Sequence, residues 1–244
     1  MVIDPITSPA NTRIKALVRL RGRRERDRTG RVLIEGFREL RRALDAGLPI
    51  AELYVCPDLY LGTGEDAVVH GAAASGAVIV PVAPEAFRKA SYRDRPEGLL
   101  AVAEQFPVGL ELLEVPEGAL VLVAESIEKP GNLGTMLRTA DAAGVHAVLV
   151  CDPTTDPFNP NVVRASLGTL FTVPIAIAST SETISWLRSH GIRSHATTPD
   201  ATTPLWEADL AAPCAVVVGS EQYGLSEAWL GAADERILIP MPGA

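Results

Sequence analysis

Three polar side chains, Asn132, Thr135 and Arg138, follow a polar, glycine-bearing turn and are spaced as on a helix. Thr135 lies three residues before Arg138 and shares its helix face, while Asn132 lies nearly two turns before Arg138. An amide, a hydroxyl and a guanidinium in succession can orient a polar substrate and meet developing negative charge. The alternative is an ordinary N-cap at Asn132 followed by a surface arginine.

A second polar segment occupies residues 216–226, where an apolar run opens into an acidic loop between Gly219 and Gly224. The two glycines are spaced as in a Walker loop, but Leu225 stands where that motif needs lysine, which excludes a phosphate-loop NTPase. A Rossmann cofactor site is also unsupported, because no Gly-x-Gly-x-x-Gly follows a predicted strand. Without further context, Gly219 is equally well explained as a plain strand-to-loop turn.

The elements that position these segments begin at residue 119, where short, wholly apolar β-branched runs alternate with helical stretches. Continuous apolar strands are typical of a parallel sheet covered by helices on both faces. Ligands of such sheets bind beyond the carboxyl ends of the strands, so both polar segments are expected at that edge. The predicted strands are residues 120–124, 147–150, 172–177, 193–197, 215–219 and 237–239.

The N-terminal part predicts a separate small α/β domain over residues 1–105. An amphipathic helix with apolar positions 14, 17 and 18 precedes an arginine-rich turn. Residues 106–118 are predicted to be a linker, because residues 107–118 include two prolines, two glycines and three glutamates. The catalytic domain is assigned to residues 119–244. In the first domain we predict strands at 31–34, 50–55, 77–82 and 98–103, and helices at 36–46 and 84–90.

The formal net charge of −8 argues against a nucleic-acid partner, but the charge is unevenly distributed along the chain. Residues 13–42 hold twelve basic and four acidic side chains, a local net of +8, so the rest carries −16. Arginine suits bidentate phosphate contacts, although a solvated helix end would have the same composition. The candidate RNA contacts are Arg19, Arg21, Arg23, Arg24, Arg26 and Arg28.

Other residue classes point to a cytoplasmic protein without a metal. No apolar run of about 18 residues and no signal-peptide block occurs. The three cysteines are widely spaced and odd in number, which fits neither disulfides nor a zinc site, and each is predicted to be a small apolar filler. The four histidines are scattered, so no metal is implied.

Residues 132–145, Asn-Leu-Gly-x-x-Leu-Arg-Thr-Ala-Asp-Ala-Ala-Gly-Val, resemble the first signature of the SpoU or TrmH family of RNA methyltransferases. Residues 216–226 resemble the second signature, and residues 237–243 resemble the third. The resemblance covers the chain from about residue 119 and implies a SPOUT α/β domain with a C-terminal trefoil knot, an exception to the no-knot rule. It also implies transfer of a methyl group from S-adenosylmethionine to a ribose 2′-hydroxyl of RNA.

The resemblance also implies roles for individual residues. Arg138 would activate the hydroxyl, and because an arginine side chain is a poor general base, we expect it to polarise the hydroxyl and hold the adjacent phosphate. Asn132 and Glu221 would position the arginine and the nucleotide. The cofactor would be held mainly through backbone groups of the signature loops, at Gly219, Ile239 and Met241, together with Thr197.

The N-terminal module has a resemblance of its own. Ile34-Glu35-Gly36 followed by a basic helix resembles a ribosomal-protein-like domain that precedes the catalytic domain in some family members. It favours ribosomal RNA, most of all 23S, as the substrate, and leaves open housekeeping or antibiotic-resistance modification. Family members are homodimers through the knotted domain, so Tyr223 would face the nucleotide or the partner subunit.

The third signature ends early in this sequence. In the family it continues with a Ser-Leu-Asn-Val-Ser-like segment and a final helix, whereas this sequence stops at Ala244. We therefore expect a truncated chain and an incomplete knot. A non-catalytic RNA-binding or ribosome-assembly protein on the same fold is the alternative, and the joint presence of Asn132, Arg138 and Glu221 favours the enzyme.

Overall fold

The computed structural model describes residues 4–211 and 213–241. The chain forms two compact units. The first comprises residues up to Phe106 together with Leu133–Thr135 and Asp156–Thr172, and the second comprises Pro107–Asn132, Met136–Thr155 and the chain from Val173 on. Two short segments of the predicted catalytic region therefore belong to the N-terminal unit. The predicted bounds 1–105, 106–118 and 119–244 stay a prediction.

The first unit contains a four-stranded sheet in the order β1-β4-β2-β3. β4 pairs antiparallel with β1 and β2, whereas β3 pairs parallel with β2. Its core joins Ile14 and Leu17 of the first helix to Leu33 and Phe87. The elements are β1 Arg31–Glu35, β2 Ile50–Val55, β3 Val78–Pro81 and β4 Leu99–Glu104, with α1 Thr12–Leu20, α2 Arg23–Thr29, α3 Phe37–Asp45, α4 Glu65–Ala74 and α5 Pro84–Ala90.

The predicted arginine-rich turn is wrong, since residues 23–29 form α2. Pairs at helical spacing, Arg23 with Asp27 and Arg28 with Glu25, support it, and Gly30 ends it in the left-handed conformation at φ 63°. α4 was not predicted from the sequence.

The second unit contains a seven-stranded sheet in the order β7-β6-β5-β10-β8-β11-β9, and every pairing among the described strands is parallel. Its strands are β5 Leu120–Glu125, β6 Ala147–Cys151, β7 Ile175–Ala178, β8 Arg193–Thr197, β9 Thr203–Pro204, β10 Cys214–Val218 and β11 Glu235–Leu238. The later helices are α6 Pro130–Ala142, which contributes to both units, α7 Pro160–Ala165 in the first, and α8 Thr180–Ser189 and α9 Glu227–Ala232 in the second.

The chain enters this sheet at β5, in its interior, and builds β6 and β7 on one side before β8, β10 and β11 on the other. The strand order thus reverses at the β5/β10 pair, and such switch points open a crevice at the carboxyl edge. The mixed α/β fold with a mostly parallel sheet is confirmed, while the knot stays a prediction. The strand predicted at 172–177 begins only at Ile175, because Thr169–Phe171 form a 3-10 turn.

The described cysteines, Cys56, Cys151 and Cys214, are free and buried, as predicted for small apolar fillers. Within the described residues, no group of histidine, cysteine or carboxylate side chains could hold a metal ion. None of the described helices is long and apolar enough to cross a membrane.

Candidate active site

Two loops meet at the carboxyl edge of the second sheet, one after β5 and one after β10. The strands are parallel neighbours, and Ala124 lies opposite Val218, so the loops start side by side. The first loop leaves β5 at Ser126, which has φ 54°, a conformation that only a few per cent of non-glycine residues adopt. The Ser126 amide donates a 2.9 Å hydrogen bond to the carbonyl of Cys151, the last residue of β6. The neighbouring strand β6 therefore also fixes this loop.

Asn132 and Glu221 connect the two loops. The Asn132 side-chain amide donates a hydrogen bond to Glu221 Oε1, although 89 residues separate them. Asn132 does not cap α6, because Lys129 holds that position and Asn132 lies within the first turn. The alternative of an N-cap is therefore wrong, and the amide is free to connect the first two signature segments.

Hydrogen bonding favours the ionised form of Glu221. Desolvation alone would raise the pKa of its carboxyl group, but bonds from its own backbone N–H, the Asn132 amide and the Glu128 backbone, with the positive charge of Lys129, lower that pKa overall. The loop therefore presents a carboxylate at neutral pH, and that carboxylate orients Asn132.

Arg138 extends from the same helix, and its side chain is exposed. Leu133, Leu137 and Ala140 are buried and fix the opposite side of α6. No hydrogen bond or salt bridge within the described part of the chain engages the Arg138 guanidinium. Helix geometry places Arg138 about 9 Å along the axis from Asn132 and about 120° around it, so the two residues flank Thr135 instead of sharing one face.

The glycines of the signatures have packing roles. A Cβ on Gly219 would lie 2.1 Å from the Gly224 carbonyl carbon and 2.4 Å from the Leu225 amide nitrogen. The loop after β10 thus folds back on its own first residue, which explains the glycine without a ligand. In the first unit, a Cβ on Gly134 would lie 2.5 Å from the Ala165 Cβ, so the glycine allows close packing of α6 on α7.

Three of the predicted cofactor residues line one cavity. Thr197, Ile239 and Met241 surround a space of about 400 Å³ at the ends of β8 and β11. This volume lies within the range of small-molecule sites, about 300–1,000 Å³. Ile239 is 42% and Met241 81% exposed, so both offer apolar surface that the flat face of an adenine could cover. These residues fit S-adenosylmethionine.

The remaining cofactor residue, Gly219, is absent from the described lining of that cavity. It follows β10, whose Val217 carbonyl accepts a 2.8 Å hydrogen bond from Thr197 Oγ1. That bond connects the cavity wall to the strand carrying the acidic loop. The end of the third signature, Pro242 and Gly243, lies outside the described residues.

Sequence reasoning missed Glu125, the last residue of β5. Its side chain is 3% exposed and accepts hydrogen bonds from Thr180 and Ser226, both in the second unit. A polar residue directly after an apolar strand is the only signal the sequence contains. Its partners lie 55 and 101 residues away, and no local pattern predicts them.

The arginine cluster divides into exposed and internal side chains. Arg21 donates hydrogen bonds to the carbonyls of Lys89, Ala90 and Ser91, at the end of α5. Arg26 is 1% exposed and pairs with Asp156 at 2.6 Å within the first unit. The prediction that Arg26 contacts RNA is therefore corrected, because a buried guanidinium cannot reach a phosphate. The exposed members are Arg19, Arg23, Arg24 and Arg28.

An open parallel sheet with a paired amide and carboxylate, an exposed arginine and an apolar cavity at its carboxyl edge defines an α/β enzyme with a cofactor-sized site. The SpoU rRNA Methylase family profile matches residues 119–244, and the MRM3-like substrate binding domain profile matches residues 11–101. The chain belongs to the SpoU rRNA methylase family. The resemblance seen in the signatures is thereby confirmed.

Solved structures and a curated relative agree with that membership. A crystal structure of an RNA 2′-O ribose methyltransferase is 43% identical, with a TM-score of 0.86 over 98% of this chain and 91% of the other. An AdoMet-bound rRNA methyltransferase from Sinorhizobium meliloti is 30% identical, with a TM-score of 0.88 over 99% and 90%. The Bacillus subtilis 23S rRNA (guanosine(2553)-2′-O)-methyltransferase RlmP is 28% identical over 98% of this chain and 91% of its own.

Proposed function

We propose that this protein transfers a methyl group from S-adenosylmethionine to a ribose 2′-hydroxyl of 23S ribosomal RNA. The observation that carries the proposal is the Asn132–Glu221 hydrogen bond, which brings the first two signature loops together and leaves Arg138 exposed on the same helix. The relative from Bacillus subtilis and the substrate-binding profile over residues 11–101 support ribosomal RNA as the substrate class.

The protein's residues orient the hydroxyl and stabilise charge, while the hydroxyl proton is released to water and S-adenosylhomocysteine is the second product. Arg138 donates hydrogen bonds to the ribose oxygen and the neighbouring phosphate, since a guanidinium has five donors and no acceptor. Asn132, held by Glu221, fixes the position of the nucleotide. Thr197, Ile239 and Met241 would hold S-adenosylmethionine, which supplies an activated methyl group when bound. Backbone groups at Gly219 would also hold the cofactor, as the resemblance of the second signature implies.

RNA is held by the first unit in this proposal. Arg19, Arg23, Arg24 and Arg28 are exposed around α2 and would contact phosphates along structured RNA. A homodimer and a cytoplasmic location complete the proposal, and Tyr223, 77% exposed on the acidic loop, would face the nucleotide or a partner subunit.

The test is direct. The protein is incubated with S-adenosylmethionine carrying a labelled methyl group and with unmethylated 23S RNA, and digested nucleosides are separated by mass spectrometry. We expect label in one 2′-O-methylnucleoside. Label in a base would contradict transfer to the ribose, and tight RNA binding without any methyl transfer and without cofactor binding would favour the non-catalytic alternative.

A further inference from the structure

The acidic loop after β10, residues 219–226, is closed by hydrogen bonds between its two sides. Ser220 and Gly224 exchange backbone hydrogen bonds of 3.0 Å in both directions, and the Tyr223 amide donates to Ser220 Oγ at 3.1 Å. Gly224 packs so closely on Gly219 that a Cβ on Gly219 would lie 2.1 Å from the Gly224 carbonyl carbon, so the two ends of the loop are held together. A displacement of either end of this loop therefore moves Glu221.

The far end of the loop is held by one buried carboxylate. Glu125 Oε2 accepts from the Ser226 amide at 2.8 Å, and Oε1 accepts from the Ser226 hydroxyl at 2.7 Å. Ser226 is also the N-cap of α9, where its oxygen accepts from the Trp229 amide. Glu125 Oε1 also accepts a 2.8 Å hydrogen bond from the Thr180 hydroxyl, at the start of α8.

We infer that Glu125 is a positioning residue for the methyltransferase site, an inference that rests on the proposed function. Its carboxylate fixes the position of Ser226 at one end of the loop. Because the two sides of the loop are hydrogen-bonded to each other, the position of Ser226 determines that of Glu221. Glu221 in turn orients Asn132. The loop's first residue, Gly219, follows Val218, which lies opposite Ala124 in the β5/β10 pair. Glu125 touches neither substrate nor cofactor and acts through these residues.

The burial of Glu125 supports a role beyond loop solvation. A carboxylate that is 3% exposed must be compensated by hydrogen bonds, and its three donors, two on Ser226 and one on Thr180, come from segments that follow β10 and β7. An amide in place of the carboxylate keeps the shape but has one acceptor oxygen instead of two. It would leave at least one of the two Ser226 donors without a partner.

The test compares three variants of the full chain. Glu125→Gln removes an acceptor, Ser226→Ala removes the loop's hydroxyl donor, and Thr180→Val removes a donor to the same carboxylate without touching the loop. Two measurements are made: deuterium exchange of the apoprotein by peptide, and the dissociation constant for S-adenosylmethionine by equilibrium dialysis. Exchange in residues 219–226 reports the loop without relying on activity.

We expect Glu125→Gln and Ser226→Ala to speed exchange in residues 219–226 and to weaken cofactor binding about tenfold or more, because the far end of the loop loses a hydrogen bond to a buried charged group. Thr180→Val should leave both within about twofold of the unaltered protein. Ser226→Ala also removes the side-chain cap of α9, so exchange in residues 227–232 is compared with exchange in residues 219–226. If Glu125→Gln does not fold, faster exchange in residues 219–226 without a matching change in residues 227–232 of the Ser226 variant supports the inference.

Unchanged exchange and affinity in the Ser226 variant, or equal effects in the Thr180 variant, would overturn the inference. If the unaltered protein binds no S-adenosylmethionine, the proposed function fails, and exchange in residues 219–226 still decides the positioning role of Glu125.

Discussion

Arg138 differs from Arg21 and Arg26 in what surrounds it. Arg21 and Arg26 are occupied by carbonyls and a carboxylate, whereas Arg138 is exposed on a helix whose other face is buried. The guanidinium extends from a helix whose backbone is fixed, and no described side chain or carbonyl binds it, so it can donate hydrogen bonds where charge develops in the transition state.

Replacing Arg138 by alanine should lower the methylation rate by about 100-fold to 1,000-fold, the usual cost of losing a preorganised donor. Cofactor affinity should stay within about twofold of the unaltered protein, because the cavity at Thr197 and Met241 is formed by other elements. Single-turnover kinetics and equilibrium dialysis measure the two quantities. Arg138→Lys, which keeps the charge but loses the forked donors, should give an intermediate rate; full activity in the alanine variant would remove Arg138 from the mechanism.

At the scale of elements, Gly134 shows how a signature residue can be structural. It lies on α6 between Asn132 and Arg138, and its missing side chain lets α7 approach. A methyl group there would be forced against Ala165 and the backbone of Val162 and Ser166 within the first unit.

The expected consequence is that Gly134→Ala lowers the free energy of unfolding by about 1–3 kcal/mol through overpacking. Gly131→Ala on the same helix is the matched control, because no described atom beyond its neighbours and the backbone of its own helix lies within 4 Å of a Cβ there. Alanine is the better helix former by up to about 1 kcal/mol, so the control should not be destabilised. Urea unfolding followed by circular dichroism compares them, and an equal effect of both changes would contradict the packing argument.

The sequence predicts the elements that local patterns encode and misses those that depend on distant partners. Apolar runs located most of the parallel strands, although β9 was not predicted, and the polar residues after β5 and β10 located the two loops. α2 was missed because a run of arginines has no apolar periodicity, and its one buried member, Arg26, finds Asp156 at a distance of 130 residues. Glu125 was missed for the same reason, since its acceptor role appears only when β10 and α8 are beside it.

The buried Arg26–Asp156 pair gives a second stability prediction. Asp156→Ala leaves a guanidinium that is 1% exposed without its carboxylate, and removing one partner of a buried pair costs about 3–5 kcal/mol. Asp27→Ala, which removes the exposed partner of Arg23, should cost about 0–1 kcal/mol. Urea midpoints of the two variants test this, and similar midpoints would show that burial does not set the cost.

Over the whole molecule, the charge differs between the part that would bind RNA, which includes the basic residues 13–42, and the part that would bind the cofactor, which belongs to the acidic remainder of the chain. Residues 13–42 have a net charge of +8 in a chain of net −8. Because Arg21 and Arg26 are occupied internally, the exposed positive charge of the cluster comes from four arginines at positions 19, 23, 24 and 28. Glu25 and Asp27 partly neutralise three of them, and Arg24 has no such pair among the described residues.

These four arginines should set the salt dependence of RNA binding. Removing one arginine–phosphate interaction should reduce the slope of log K against log salt by about 0.7–0.9, so replacing all four by glutamine should reduce it by up to about 2.8–3.6. The arginines already paired with Glu25 or Asp27 must exchange partners to reach phosphate, so Arg24→Gln alone should give the largest single change. Filter binding to a 23S RNA fragment at several salt concentrations measures the slope. Arg236→Gln is the control, since that exposed arginine donates to the Leu230 carbonyl in the second unit. If the slope is unchanged in the variant with all four arginines replaced, another surface holds the RNA.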